Sequence, residues 1–428
     1  MKYTQRPAFH VLAKPAGPLC NLACSYCFYL EKDGFYPDEK KFRMSDDVLE
    51  SFIRQKIEAH KTGSVFFTWQ GGEPTLLGLD YYKQVVSLQQ KYAGGKTIEN
   101  GLQTNGLLLT PEWCEFLKEE NFLIGMSVDG PEAIHDHYRL HRNGKGSFKE
   151  VMQGLELLKK HEVTFNTLTV VNNHNVKHAD EIYDFLKDIN STYWQFIPVV
   201  ERKGEGDGLA TPDVQASLTK WSVPALAYGQ FLDQIFQRWV RNDVGKIFIQ
   251  QFESALANHM EMPGGVCVWS PECGAALAIE HNGDLYPCDH YVFPKYKLGN
   301  IIETPLVDLV HSPEQVKFGR DKRDSLPKIC LDCEVLDLCH GECPKHRFMK
   351  GPNEEEGHNY LCEGYKYFFT SIRPELGVIE ELLSIGQAAE GIQPWMGQKD
   401  AGFPDLDVSP GDLCPCGSAK LFKTCCMI

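Results

Sequence analysis

With 428 residues, 43% of them hydrophobic, the chain is long enough for two or three domains and a large core. Its net charge of −15 opposes the basic surface that DNA or RNA binding demands, and no run of about 18 apolar residues is present to span a membrane. The first seven residues precede no apolar stretch of signal-peptide type, so a cytosolic protein is expected, in which sixteen cysteines read as metal ligands or redox groups rather than disulfides.

In chain order, strand patterns rich in β-branched and aromatic residues are expected at 9–13, 65–69, 98–103, 123–128, 164–171 and 193–200. Between them, helical periodicity is expected over 46–60, 81–92, 111–120, 148–161 and 177–189, with Asp46 and Pro111 near helix starts. Six βα units in a row predict a parallel sheet, curled by right-handed crossovers into an open or closed barrel. In such folds the loops after the strands carry the site. A glycine-rich, charged loop follows at 201–208, then helices at 225–241 and 246–259. Residues 264–362 are cysteine-dense and are expected to be loop-rich, with metal sites supplying part of the stability. A polar linker containing Gly386, Gly391, Gly397 and Gly402 leads to a short Cys-rich tail. Only Cys114 stands apart from the cysteine clusters and is expected to be a buried apolar residue.

Cys20, Cys24 and Cys27 follow the first strand pattern as Cys-x3-Cys-x2-Cys. Three thiolates on one loop can hold three irons of a 4Fe–4S cube and leave the fourth open to an outside chelating group. Spacing alone also admits a zinc site short of one ligand. The run Cys20-Asn-Leu-Ala-Cys24-Ser-Tyr26-Cys27 resembles the signature of the radical S-adenosylmethionine (SAM) superfamily. Gly71-Gly72-Glu73-Pro74 after the second strand, Asn105-Gly106 after the third and Ser127-Val128-Asp129-Gly130 after the fourth match the same superfamily. The resemblance implies a partial (β/α)6 barrel in which SAM binds the open iron and is split to a 5′-deoxyadenosyl radical. It further implies that Tyr26, Gly72, Glu73, Ser127, Arg139 and Val200 contact the cofactor, Val200 on the adenine side.

Eight further thiols, Cys267, Cys273, Cys288, Cys330, Cys333, Cys339, Cys343 and Cys362, would serve two complete 4Fe–4S clusters or two zinc ions equally well by number. The run Cys330-x2-Cys333-x5-Cys339-x3-Cys343, followed by Cys362, resembles the SPASM extension of peptide-modifying radical enzymes. That resemblance assigns Cys267, Cys273, Cys288 and Cys343 to one auxiliary cluster and Cys330, Cys333, Cys339 and Cys362 to a second. Asp289, in Tyr286-Pro287-Cys288-Asp289-His290, stands where the anaerobic sulfatase-maturating family has its catalytic base; His290 reads as a neighbour. The family likeness implies oxidation of a Cys or Ser in a sulfatase polypeptide to Cα-formylglycine, with a reductant such as flavodoxin or ferredoxin as partner.

The tail, Cys414-Pro-Cys416 to Cys425-Cys426, resembles the SEC-C motif, whose four soft ligands suit tetrahedral zinc; Ala419 and Cys426 depart from its commoner form, and Lys420 and Lys423 offer a small basic patch. The expected organisation is a radical SAM partial barrel over 1–235, a SPASM domain over 236–380, a linker over 381–408 and the zinc motif over 409–428. Two alternatives remain at this point. One is a related enzyme making thioether or carbon–carbon crosslinks in a precursor peptide, which the start of the first strand near Phe9 disfavours by leaving no room for a peptide-recognition domain. The other is a non-catalytic zinc scaffold, which gives no reason for Gly71 to Pro74.

Overall fold

The computed structural model describes residues 9–37, 42–204, 208–351 and 354–400. The chain forms two compact units. The first takes in the described residues up to Val170, then Val199–Ser222 and Pro271–Ser325; the second takes in Val171–Pro198, Val223–Ser270 and the described residues from Leu326 on. The strands in chain order are β1 (His10–Lys14), β2 (Ser64–Trp69), β3 (Thr97–Thr104), β4 (Phe122–Ser127), β5 (Phe165–Val171), β6 (Tyr193–Pro198), β7 (Phe248–Ile249), β8 (Ala276–Glu280), β9 (Asp284–Tyr286) and β10 (Gly299–Asn300).

In the first unit the strand order is β10-β9-β8-β1-β2-β3-β4-β5. Pairing from β8 to β5 is parallel, and β9 and β10 add antiparallel at the edge. The registers Ala13↔Trp69, Trp69↔Leu102 and Thr104↔Met126 bring the C-terminal ends of β1 to β4 to one edge, so the loops that follow them share a rim. Sequence chemistry sets the helix starts. Ser45 accepts from the Val48 amide at 3.4 Å to cap Asp46–Ala59, and Thr110 accepts from Trp113 at 3.3 Å to cap Pro111–Glu119, with Pro111 in the first turn where its missing N–H costs nothing. The helix Asp46–Ala59 buries Val48, Leu49, Phe52, Ile53 and Ile57 on one face, each worth roughly 1.5–3 kcal/mol when fully buried. Phe52 meets Phe67 and Trp69 of β2 edge-on at 5.8 and 6.1 Å.

The segment 264–362 is more regular than its cysteines suggest. β8 pairs in parallel with β1 along its whole length, from His10↔Ala276 to Lys14↔Glu280. A tight turn at Asn282-Gly283, with Gly283 at φ 90°, reverses the chain into β9.

In the second unit β6 pairs in parallel with β7. The helices Ala225–Asn242 and Cys362–Ser384 touch backbone to backbone, because a Cβ on Gly229 would stand 2.0 Å from the carbonyl oxygen of Gly364. This contact fixes the start of the longer helix and with it Cys362. That helix runs into the stretch expected to be a linker, and a further helix, Ile392–Asp400, occupies part of it. Cys114 is fully buried, as expected.

Candidate functional site

Within the first unit, the loop after β1 lies directly on the turn after β2. The Gly72 amide donates to the Gly17 carbonyl at 2.8 Å and the Glu73 amide to the Leu19 carbonyl at 2.6 Å. A Cβ on Gly72 would meet the Leu19 oxygen at 1.9 Å, so only glycine lets the cysteine loop settle there. The close approach at Gly72 is therefore to the chain's own cysteine loop. The Glu73 carboxylate is buried and accepts from the Thr75 amide and hydroxyl (3.0 and 2.6 Å), the Thr104 hydroxyl (2.7 Å) and the Asn105 amide (2.8 Å). It fastens the ends of β2 and β3 together. Asn105 in turn donates to the Asn21 side chain at 2.7 Å, tying the third loop to the first.

Cys20, Cys24 and Cys27 lie within electrostatic reach of one another on this loop. Burial pushes the Cys20 and Cys24 thiols up to about 12, so they are protonated and an incoming metal must displace the protons. Among the described residues no three His, Cys, Asp or Glu side chains gather as tightly as a single ion requires. Around an iron–sulfur cube each thiolate binds its own iron and no such convergence is needed, so the donor set fits a 4Fe–4S cluster with one iron open.

Beside the loop lies a buried charge pair. Arg139 Nε stands 3.1 Å from Asp129 Oδ2, which also accepts from the Tyr26 hydroxyl at 2.5 Å, while Asp129 Oδ1 accepts from the Val170 amide at 3.0 Å. Tyr26 packs with Tyr138 and Val199 against Cys24. Ser127 is buried at the end of β4, and Val200 is buried just beyond Val199. Asp129 was visible in the sequence only as part of a motif; its partner Arg139 lies past a short helix, Glu132–His135, that no periodicity announced.

Asp289 follows Cys288 in the first unit and meets Lys14, the last residue of β1, at 2.6 Å. Burial pushes its carboxyl up, but Lys14, with His290 and Lys32 behind it, outweighs this and holds it below the ordinary carboxylate value. Lys14 Nζ also lies 3.8 Å from the Tyr29 ring centroid, and Tyr29 donates to the buried Glu280 of β8. Lys14, Tyr29 and Glu280 escaped sequence reasoning. Their one signal was a lysine closing an apolar strand, where a cation is buried only if something pairs with it.

In the second unit Cys330 sits in the helical turn Lys328–Leu331 with Cys333 two residues past its end, Cys339 ends the turn Leu336–Cys339, and Cys362 opens the long helix. Each lies within electrostatic reach of others of the set, and burial raises Cys330, Cys339 and Cys362. A second buried carboxylate stands beside them. Glu342, at φ 54°, accepts from Asn359 at 2.6 Å and meets His346 Nδ1 at 3.0 Å. Of the remaining cysteines, Cys273 and Cys288 lie in the first unit and Cys267 and Cys343 in the second. Cys414, Cys416, Cys425 and Cys426, with Lys420 and Lys423, lie outside the described residues.

The radical SAM superfamily matches residues 15–186, the iron–sulfur cluster-binding SPASM domain residues 267–334 and the SEC-C motif residues 412–428. The chain is thus a radical SAM oxidoreductase, an α/β partial barrel with a Cys-rich iron–sulfur extension, that binds SAM and iron–sulfur clusters. It is 47% identical to the serine-type anaerobic sulfatase-maturating enzyme of Bacteroides thetaiotaomicron, over 90% of this chain and 94% of the relative. It is 32% identical to the cysteine-type enzyme of Clostridium novyi, over 88% and 98% respectively. The solved structure of native anSMEcpe with bound AdoMet and Cp18Cys peptide superposes with a TM-score of 0.76 at 32% identity, covering 86% of this chain and 98% of that one. The chain belongs to the anaerobic sulfatase-maturating enzyme family. No helix among the described residues is long and apolar enough to cross a membrane.

Proposed function

We propose that this chain oxidises a Cys or Ser side chain of a sulfatase polypeptide to Cα-formylglycine in the cytosol. Three 4Fe–4S clusters take part: one on Cys20, Cys24 and Cys27, one on Cys267, Cys273, Cys288 and Cys343, and one on Cys330, Cys333, Cys339 and Cys362. Bound SAM supplies the hydrogen-abstracting 5′-deoxyadenosyl radical. Tyr26, Gly72, Glu73, Ser127, Arg139 and Val200 form its pocket, Glu73 by fixing the β2 and β3 turns around it. Asp289 accepts the thiol or hydroxyl proton of the target residue. A reductant such as flavodoxin or ferredoxin delivers electrons, and the tail holds zinc on Cys414, Cys416, Cys425 and Cys426.

One observation carries this reading. Asp289 is ion-paired at 2.6 Å with Lys14, the residue that closes β1 just before the three-cysteine loop, in a chain 47% identical to a serine-type maturating enzyme. A carboxylate so held is ionised and oriented, as a general base must be. Its Lys14 partner balances the charge that it carries until it takes the proton. The greater identity to serine-type than to cysteine-type relatives, 47% against 32%, supports serine as the residue oxidised. Anaerobic assay of the reconstituted protein with Ser and Cys target peptides tests this: formylglycine and 5′-deoxyadenosine should appear together with the Ser peptide. Deoxyadenosine with no formylglycine from either peptide would refute it.

A further inference from the structure

We propose that a cavity of about 400 Å³ lined by Phe28, Phe35, Leu209 and Phe293, together with the charged Glu31, Lys32 and Asp33, receives an apolar side chain of the substrate polypeptide flanking the reacting residue. The inference rests on the formylglycine reading and names a determinant of which polypeptides the site accepts. All these residues belong to the first unit. The volume lies within the roughly 300–1,000 Å³ of ligand pockets.

Position supports it first. Phe28 directly follows Cys27, and its ring lies 5.1 Å from that of His290, the neighbour of Asp289. A polypeptide that places its target at Asp289 therefore runs past the mouth of this cavity.

The walls are built before any ligand arrives. Lys32 is itself buried, its Nζ 3.2 Å from the Phe293 centroid and 5.0 Å from that of Phe35, and the two rings lie 5.6 Å apart. The Leu209 amide donates to Glu31 at 2.7 Å, bringing the chain after Gly208 over the cavity. Arg202 donates to the carbonyls of Pro212 and Val214 at 2.7 and 2.5 Å, and Asp213 bonds Lys295 and the Tyr296 hydroxyl, anchoring the rest of that segment. Such preorganisation lowers the ordering cost of binding.

The chemistry selects an apolar guest. Glu31 already holds the Leu209 amide, and Lys32 already lies on aromatic faces, so neither charge calls for a counter-ion from the substrate. Asp33, the third charged residue of the lining, is exposed and keeps its water, and the surface left for a guest is apolar, with Phe35 37% exposed. Phe35→Ala or Leu209→Ser removes that surface without touching Asp289 or a cysteine.

The test uses full-length, reconstituted protein and a fluorescein-labelled peptide spanning the modification site of a serine-type sulfatase, together with versions in which each flanking apolar residue is replaced singly by Ser. Anisotropy gives Kd and formylglycine assay gives KM and kcat. Each variant should weaken binding of the unmodified peptide about tenfold and raise KM alike, with kcat changed by less than about twofold. For one peptide, already lacking the guest side chain, the variants should bind as the parental protein does. Equal Kd for parent and variants with the unmodified peptide overturns the proposal, as does the same loss with every peptide, which would mean general disturbance or coverage by another segment. Iron content and circular dichroism confirm folding, and the two substitutions on separate segments guard against failure of either. A parental protein that binds the peptide but makes no formylglycine would refute the formylglycine reading alone, leaving the binding comparison to decide the cavity.

Discussion

The three-thiol loop of the first unit and the four-thiol set of the second solve a shared problem differently. Both lie beside a carboxylate buried from solvent: Asp129 near Cys24, and Glu342 near Cys339. Asp129 is neutralised by Arg139, whose charge is permanent, and by the Tyr26 hydroxyl. Glu342 is met by His346, whose charge is optional, and by the Asn359 amide. Three thiols leave a cube one ligand short, which a reaction centre uses; four close the coordination sphere, as electron transfer prefers. The permanent charge thus accompanies the loop proposed to carry the open cluster.

The comparison is broken most completely at the cysteines. Cys20, Cys24 and Cys27 all changed to Ala should abolish 5′-deoxyadenosine and lower iron from about twelve to about eight per chain. The same treatment of Cys330, Cys333, Cys339 and Cys362 should lose about four irons yet leave some cofactor cleavage. Iron analysis with chromatography of the nucleoside decides both, and deoxyadenosine from the first variant would refute the assignment of the open cluster.

Next in size, Asp289→Asn keeps the shape beside Lys14 and removes the base. Formylglycine should fall by roughly 10²–10⁴-fold while deoxyadenosine still forms. Iron must be measured alongside, since Cys288 is adjacent. Full iron with parental formylglycine output would show that another group takes the proton.

The two carboxylates give a matched pair of smaller effects. Asp129→Asn leaves Arg139 buried and unbalanced, and should lower stability by about 3–5 kcal/mol. Glu342→Gln should lower it by only about 1–3 kcal/mol, because His346 can take its neutral form. Urea unfolding of the metal-free proteins measures both, and equal losses would remove the distinction. The smallest effect is expected at the tail: truncation before Cys414 should release one zinc, by metal analysis, with formylglycine output unchanged.

Local chemistry explains which parts of this molecule were legible beforehand. Strands β1 to β6 and the longer helices between them declared themselves through period, the four-residue helix Glu132–His135 excepted, and the turns Gly71-Gly72-Glu73-Pro74 and Asn105-Gly106 through residue type. β8 did not, although Asn282-Gly283 marks a hairpin as clearly as any pair of residues can; five residues flanked by cysteines carry too little period to stand out. The Lys14–Asp289 and Arg139–Asp129 pairs were invisible as pairs, because a charged residue in a sequence looks solvated until tertiary structure removes the water. Gly72 was legible as part of a cofactor motif, but not that Leu19 of the cysteine loop approaches it.

That last contact bears on how the protein is made. Cys20, Cys24 and Cys27 leave the ribosome well before Gly72, Glu73 and Asn105, yet these later residues give the cysteine loop its shape and burial. Until they arrive the thiols are solvated, near their ordinary value of about 8.5, and have no fixed spacing. A cluster on these thiols, as proposed, would therefore load only once β3 is complete, since a chain ending before it offers iron only a flexible thiol peptide.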